Sequence, residues 1–307
     1  MVITVRMTPD AVARTRLAVS PAAEAAVWLW TLVLGRSHPL FGDHGPLARA
    51  ALRHPDVALV AGTLFPCYAP DLLTPPPPPA STLDDQLDLV SSARPDVVAD
   101  QIGYVASRNR VPPAVRDAVD AGTFGRRAAN GLLVFWRHVL ADGWPALREV
   151  LEADLAQRMR TMASGGLASL FTSLHPDIGW TGDSLTITLG PHAETVALGD
   201  RDLVLVPTAL NWPNATAQVC GDAPAVIGYP AAGLPRDGHR DPAAQARLYG
   251  ATRAALLADL TQPRSTAHLA ARHGIAPSTA SYHLRVLHQA GLVSRHRDGH
   301  HVLYQRT

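Results

Sequence analysis

The spacing of Ser265, Gly274 and Pro277 leaves the end of the chain few ways to fold. Ser265 has the side chain of a helix N-cap, residues 266–273 follow with Leu269 and Ala270 as the inward pair, and Gly274 stops the helix. Pro277 then opens another helix in its first turn, where a missing N–H costs nothing. An earlier helix is set by the stripe Ala254, Leu256, Leu257 and Leu260. Two helices joined by a short turn that contains glycine make a helix-turn-helix. Beyond Gly291, read as a C-terminal helix cap, residues 292–297 and 300–306 alternate as strands around Asp298-Gly299, a two-residue hairpin signal. That hairpin is expected to be a wing.

Turning the helix that begins at Pro277 by roughly 100° per residue groups Ala280, Leu284, Leu287 and Gly291 on one arc. Ser278, Ser281, Tyr282, Arg285 and Gln289 fall on the opposite one. Base edges in a major groove are read by such groups: hydroxyls donate or accept, and arginine bridges a guanine with two bonds. Ser278, Thr279, Ser281, Tyr282 and Arg285 are therefore candidate DNA-reading residues. Arg295, Arg297 and His300 on the hairpin join them, with Arg264, Arg272 and Arg306 as further phosphate contacts that set register and not sequence.

Charge is distributed to match. The formal net charge of +1 conceals residues 242–307, with eight Arg against Asp259 and Asp298, and residues 1–241, with 19 Arg against 24 acidic side chains. A module at +6 attached to a body at −5 points to a nucleic-acid partner for the module alone. His296, His300, His301 and Asp298 sit on the exposed hairpin and read as phosphate-facing or solvated side chains, not as a metal site. His283 flanks the inner face and reads as a packed, hydrogen-bonded histidine. Cys67 and Cys220 stand outside any CxxC pair and read as reduced thiols.

The rest of the chain reads as α+β: a mostly helical region over 1–175, a small antiparallel sheet over 176–230, and together an N-terminal domain at 1–235 preceding the module at 243–307. Pro9, Pro46, Pro55, Pro95 and Pro112 mark helix starts. Residues 25–34 are the longest apolar run, half of the ~20 residues that a membrane-spanning helix requires. No export signal opens the chain, so a cytoplasmic protein without membrane contact is expected. Residues 144–162 form an amphipathic helix ended by Gly165-Gly166. Residues 178–180, 185–189, 195–198, 203–206 and 225–229 are β-prone runs between Gly-containing turns, the pattern of an antiparallel meander. Five consecutive prolines, 75–79, are expected to be a polyproline II spacer on the surface. The Pro/Gly-rich stretch 230–242 is the expected domain boundary.

All six Trp lie in that N-terminal region. Trp136, Trp180 and Trp212 are candidate walls of an apolar effector pocket, with core packing as the plainer role, and Arg16 and Arg137 are candidate partners of an anionic effector. No GxSxG, HExxH, P-loop or GxGxxG text is present, so neither catalytic residues nor a cofactor are expected.

Ser281-Tyr282-His283-Leu284, Leu287 and Ala290-Gly291-Leu292-Val293, followed by Arg297, Gly299, Val302 and Tyr304, resemble the reading helix and wing of the ArsR-like (arsenical-resistance-repressor-like) transcription regulators. Residues 13–21 (ARTRLAVSP) and 72–78 (LLTPPPP) look like the N-terminal domain of a multidomain actinobacterial branch of that family. The resemblance implies a dimeric winged helix-turn-helix regulator on double-stranded DNA. Founding members sense metals through Cys pairs in the helix before the reading helix or through Asp/His on a terminal helix. Residues 266–273 hold no Cys and no helix is expected after the wing, so neither metal site is inherited and dimerisation is expected through residues 249–260 or the N-terminal domain. These readings converge on a homodimeric repressor of a palindromic operator, released by a small organic effector. Two alternatives stay open: an N-terminal platform for dimerisation or a protein partner, and an enzyme tethered to DNA.

Overall fold

The computed structural model describes residues 2–66, 68–189, 193–219, 221–234, 250–260, 264–289, 292–298 and 301–306. The chain divides into two compact units, Met1–Arg36 with Gly45–Ala232, and Ser37–His44 with Gly233–Thr307. The expected boundary at 230–242 runs into residues outside the described set, as do both cysteines.

The larger unit opens with β1 (Val2–Arg6), α1 (Pro9–Ala13) and β2 (Arg16–Leu17), then α2 (Pro21–Val33), α3 (Gly45–Ala51), α4 (Pro55–Ala61), α5 (Leu83–Ser91), α6 (Pro95–Arg108), α7 (Pro113–Asp120) and α8 (Phe124–Val139). Proline stands in the first turn of α1, α2, α4, α6 and α7, where its fixed φ suits the helix. Thr82 caps α5 by accepting from the Asp85 amide, while Asp85 accepts from the Thr82 amide at 2.8 Å. Helices α2, α3, α4, α5 and α7 pack around α8, whose Phe124, Ala128, Leu132 and Phe135 form the buried stripe. Gly131 on that helix meets α4 so closely that a Cβ there would stand 2.3 Å from the Asp56 carbonyl oxygen. Arg127 and Asn130 each donate to the Asp56 carboxylate at 2.7 Å beside that contact.

Helix α9 runs over Trp144–Leu174. Gly166 breaks it with φ 73° and ψ −178°, so the first helix ends at the expected Gly-Gly and a second one follows directly. Arg158 donates from Nη1 to the Ser173 carbonyl at 2.5 Å and to its Oγ at 3.0 Å. In a straight helix those residues would lie about 22 Å apart, so the two halves fold back on each other.

The expected antiparallel meander is replaced by two mixed sheets. The first has the order β3-β4-β1-β5, with β3 (Ile178–Trp180), β4 (Ser184–Thr188) and β5 (Ala193–Ala197). Strand β1 sits inside it, antiparallel to β4 (Val2↔Thr188) and parallel to β5 (Val2↔Ala193). The second has the order β2-β6-β8-β7, with β6 (Leu203–Thr208), β7 (Thr216–Gln218) and β8 (Ala225–Pro230). Here β2, β6 and β8 are parallel and only β7 runs the other way. The physical reason lies in burial: β6 and β8 are apolar on both faces, as strands inside a covered parallel sheet must be. Leu203, Leu205, Ile227 and Tyr229 face a core shared with Ile3, Val5, Leu185, Ile187 and the Leu170, Phe171 and Leu174 side chains of α9. Val204, Val206 and Val226 pack on the opposite face with Ala18.

Two buried carboxylates secure helices to the ends of these strands. Glu24 of α2 accepts from the Ala209 and Leu210 amides after β6, both at 2.8 Å, and burial still pushes its carboxyl up to about 7. Asp154 of α9 accepts from the Tyr229 hydroxyl and the Ala232 amide after β8, both at 2.8 Å, with Arg158 at 3.3 Å. The proline tract is not a free surface spacer: Pro77 is buried, Pro75, Pro76 and Pro78 are half-buried, and Thr74 at its edge accepts a bond from Gln218 of β7.

Candidate nucleic-acid interface

The smaller unit holds α10 (Ala251–Asp259), β9 (Arg264–Ser265), α11 (Thr266–Arg272), α12 (Pro277–Gln289), β10 (Val293–Asp298) and β11 (His301–Arg306) among its described residues. Ser265 caps α11 by accepting from the His268 amide at 3.3 Å. At the other end Ile275 N donates to Ala270 O at 3.1 Å and Gly274 N to Ala271 O at 3.4 Å, the paired bonds of a Schellman cap. That cap needs a left-handed residue, and Gly274 supplies it at φ +62°. Pro277 follows in the first turn of α12, so glycine and proline between them fix the angle at which α12 leaves the turn.

Ala280, Leu284 and Leu287 of α12 are fully buried, and Val286, which the wheel had not placed inward, is buried too. Ser278, Thr279, Tyr282 and Arg285 are exposed and Ser281 is half-buried. The structure thus brings the five candidate readers to one outward helix surface. A tyrosine 48% exposed on an otherwise well-packed helix is apolar area left uncovered within the unit.

Strands β10 and β11 pair antiparallel from Val293↔Arg306 to Asp298↔His301, and β9 joins through Tyr304↔Arg264. Pairing includes Asp298, which the sequence places in the turn. Gly299 and His300 lie outside the described residues, as do the Arg297 side chain and Gly291. Arg295 is exposed on β10.

Asp259 reorganises part of the expected phosphate-binding set. Its carboxylate pairs with Arg272 and, at 3.0 Å, with His273 Nε2, while its carbonyl accepts from Arg264 Nε at 2.9 Å. Arg264 Nη1 also meets His268 Nε2 at 2.9 Å. Burial alone would raise the Asp259 carboxyl; the bonds and charges of Arg272 and His273 outweigh it and hold the group below the usual carboxylate range. Arg272 is therefore engaged inside the unit and Arg264 is half-buried. The sequence reading had also passed over Arg253, which is 9% exposed. Its signal was present, because Arg253 shares the three-and-four spacing of Leu256, Leu257 and Leu260. His283 is packed as expected, but its Nδ1 is buried without a hydrogen-bond partner among the described residues. Burial, then the Arg253 charge, holds its imidazole below the ordinary value.

The three tryptophans proposed from sequence belong to the larger unit. Trp136 of α8 is buried with its ring 4.8 Å from that of Trp144, and Trp180 of β3 stands 4.8 Å from the Phe171 ring. Trp212 is half-buried in the turn after β6. Trp136 and Trp180 thus pack on different aromatic neighbours. Arg16 is half-buried; burial lowers its guanidinium pKa, Asp202 opposes that, and its Nη1 is buried with no hydrogen-bond partner among the described residues. Among the described residues, no cluster of three metal-ligating side chains occurs and no helix is long and apolar enough to cross a membrane.

The sequence model of a family described as a helix-turn-helix domain matches residues 251–296, which span α10, α11, α12 and the start of β10. No curated protein and no solved structure matches the chain. The chain carries a helix-turn-helix DNA-binding domain on a mixed helix-and-sheet body, the composition of a DNA-binding regulator.

Proposed function

From the helix-turn-helix domain we propose that the chain is a cytoplasmic, sequence-specific transcriptional repressor of the ArsR-like winged type, acting as a homodimer on a palindromic operator. The observation that carries this is the outward face of α12, where Ser278, Thr279, Tyr282 and Arg285 stand exposed on a helix whose entry angle is fixed by the Gly274 cap. Residues 243–307 form the reading domain, β10 with β11 is its wing, and Arg295, Arg297 and His300 are its proposed phosphate contacts.

Residues 1–235 sense a small organic effector that lowers operator affinity by binding the DNA-free state better. The buried, unbonded Nη1 of Arg16 supports an anionic group on that effector. A second reading, in which this region is a dimerisation or partner platform, is favoured by Trp136 and Trp180 being packed in separate aromatic contacts.

Selection of bound fragments from random DNA with the full chain tests the reading. Enrichment of a palindrome with half-sites about one helical turn apart is the expected result, and recovery of no common sequence would refute it. Screening organic acids for release of the enriched DNA separates sensor from platform.

A further inference from the structure

The turn of residues 37–44 belongs to the same compact unit as the helix-turn-helix domain, although most of the chain separates them in sequence. His38 and Gly42 close it with two backbone bonds, 2.8 and 2.9 Å long. The buried His38 ring accepts from the Leu40 and Phe41 amides through Nδ1, and the Phe41 ring lies 4.6 Å from it. A turn braced in this way holds Gly42 at φ +77° against α10: a Cβ there would stand 2.6 Å from Arg253 Nη2. Only glycine takes that φ without strain and admits a guanidinium so close.

Arg253 is also connected to the reading helix. It lies on the inward stripe of α10, which packs against α12. Burial lowers its guanidinium pKa, and the interaction that opposes this comes from Tyr282. Its charge also acts on His283, whose ring meets that of Tyr282 at 5.4 Å. One buried cation thus meets the turn at Gly42 and sits on the helix that packs against the reading helix. The turn is covalently continuous with α2 before it and α3 after it.

We propose that Arg253 is a positioning residue for the reading face of α12, and that the 37–44 turn, seated on it through Gly42, is the element by which the rest of the chain acts on Tyr282. This rests on the DNA-binding reading above. A bulky side chain at residue 42, or loss of the guanidinium, shifts Tyr282 and His283 together.

Full-length variants test it on the selected DNA. Arg253→Met keeps much of the bulk and removes the charge, Gly42→Leu displaces the guanidinium, and Arg253→Lys keeps a cation. Arg253→Met and Gly42→Leu are expected to alter operator affinity by about fivefold or more. Both are expected to raise the NMR titration midpoint of His283, assigned by its loss in His283→Gln, while Arg253→Lys stays near the parent. Parental affinity with an unmoved His283 midpoint overturns the proposal, and if one variant fails to fold the other decides. If the parent itself retains no DNA, the DNA-binding reading falls, while the His283 midpoint still decides whether Gly42 and Arg253 act on the helix.

Discussion

Glu24 and Asp154 in the larger unit, and Arg285 and Arg295 in the smaller one, are charges put to opposite uses. The two carboxylates are buried and accept from backbone amides and from Tyr229, so their charge is consumed in attaching helices to strand ends. The two arginines are exposed, and no ion pair among the described residues involves them. A buried ionised group must be satisfied within the fold, whereas an exposed cation costs little and remains available to a polyanion. Glu24 and Asp154 are thus spent on the fold, and Arg285 and Arg295 are left exposed for the proposed contact with DNA.

The largest expected effect breaks the attachment. Asp154→Ala strands Arg158 as a buried charge and leaves the Tyr229 hydroxyl and the Ala232 amide without an acceptor, which costs about 3–5 kcal/mol in urea unfolding. A loss below about 1 kcal/mol would place the pair among surface-like contacts and remove the difference between the two units. Glu24 tests the same side of the comparison through pH. Its folded value of about 7 lies above the ordinary 4.5, so the folded protein keeps a proton that the unfolded chain has released. The group's stabilisation is full below pH 4.5 and declines as pH rises to about 7, by about 3 kcal/mol. Stability measured for the parent minus that for Glu24→Gln should fall by this amount over that window; a flat difference would contradict it.

On the other side of the comparison, Arg285→Ala should leave the unfolding midpoint in place and reduce discrimination at one base position by about 1–3 kcal/mol in competition with mismatched operators. The smallest effect belongs to Arg295→Ala. It should weaken binding to all sequences alike and reduce the slope of log affinity against log salt by about 1. A base-specific loss at Arg295, or a uniform one at Arg285, would exchange their roles.

The smaller unit was legible because its determinants are local. Ser265, Gly274 and Pro277 act within a few residues of themselves, and the inward set of α12 follows from one helical period. What escaped there was long-range: Asp259 pairs with Arg272, one of the expected phosphate contacts, and Arg253 looks like an ordinary cation until its stripe is drawn. In the larger unit the local signals misled. The turn at Gly182-Asp183 does join an antiparallel pair, β3 and β4. Extending that logic to residue 230 failed because β1 and β2 come from the other end of the chain and pair with β4, β5 and β6. No turn residue encodes such a partnership. Glu24 was equally hidden, as a lone acid in an apolar helix whose acceptor role depends on amides at 209 and 210.

The position of β1 inside its sheet bears on how the protein is made. Its neighbours, β4 and β5, leave the ribosome only after residue 197 has been translated, so β1 waits on the order of ten seconds or more for both partners at typical elongation rates. During that interval its Val2, Ile3 and Val5 side chains have no finished core to enter. The helix-turn-helix domain is translated after both partners of β1 have been made.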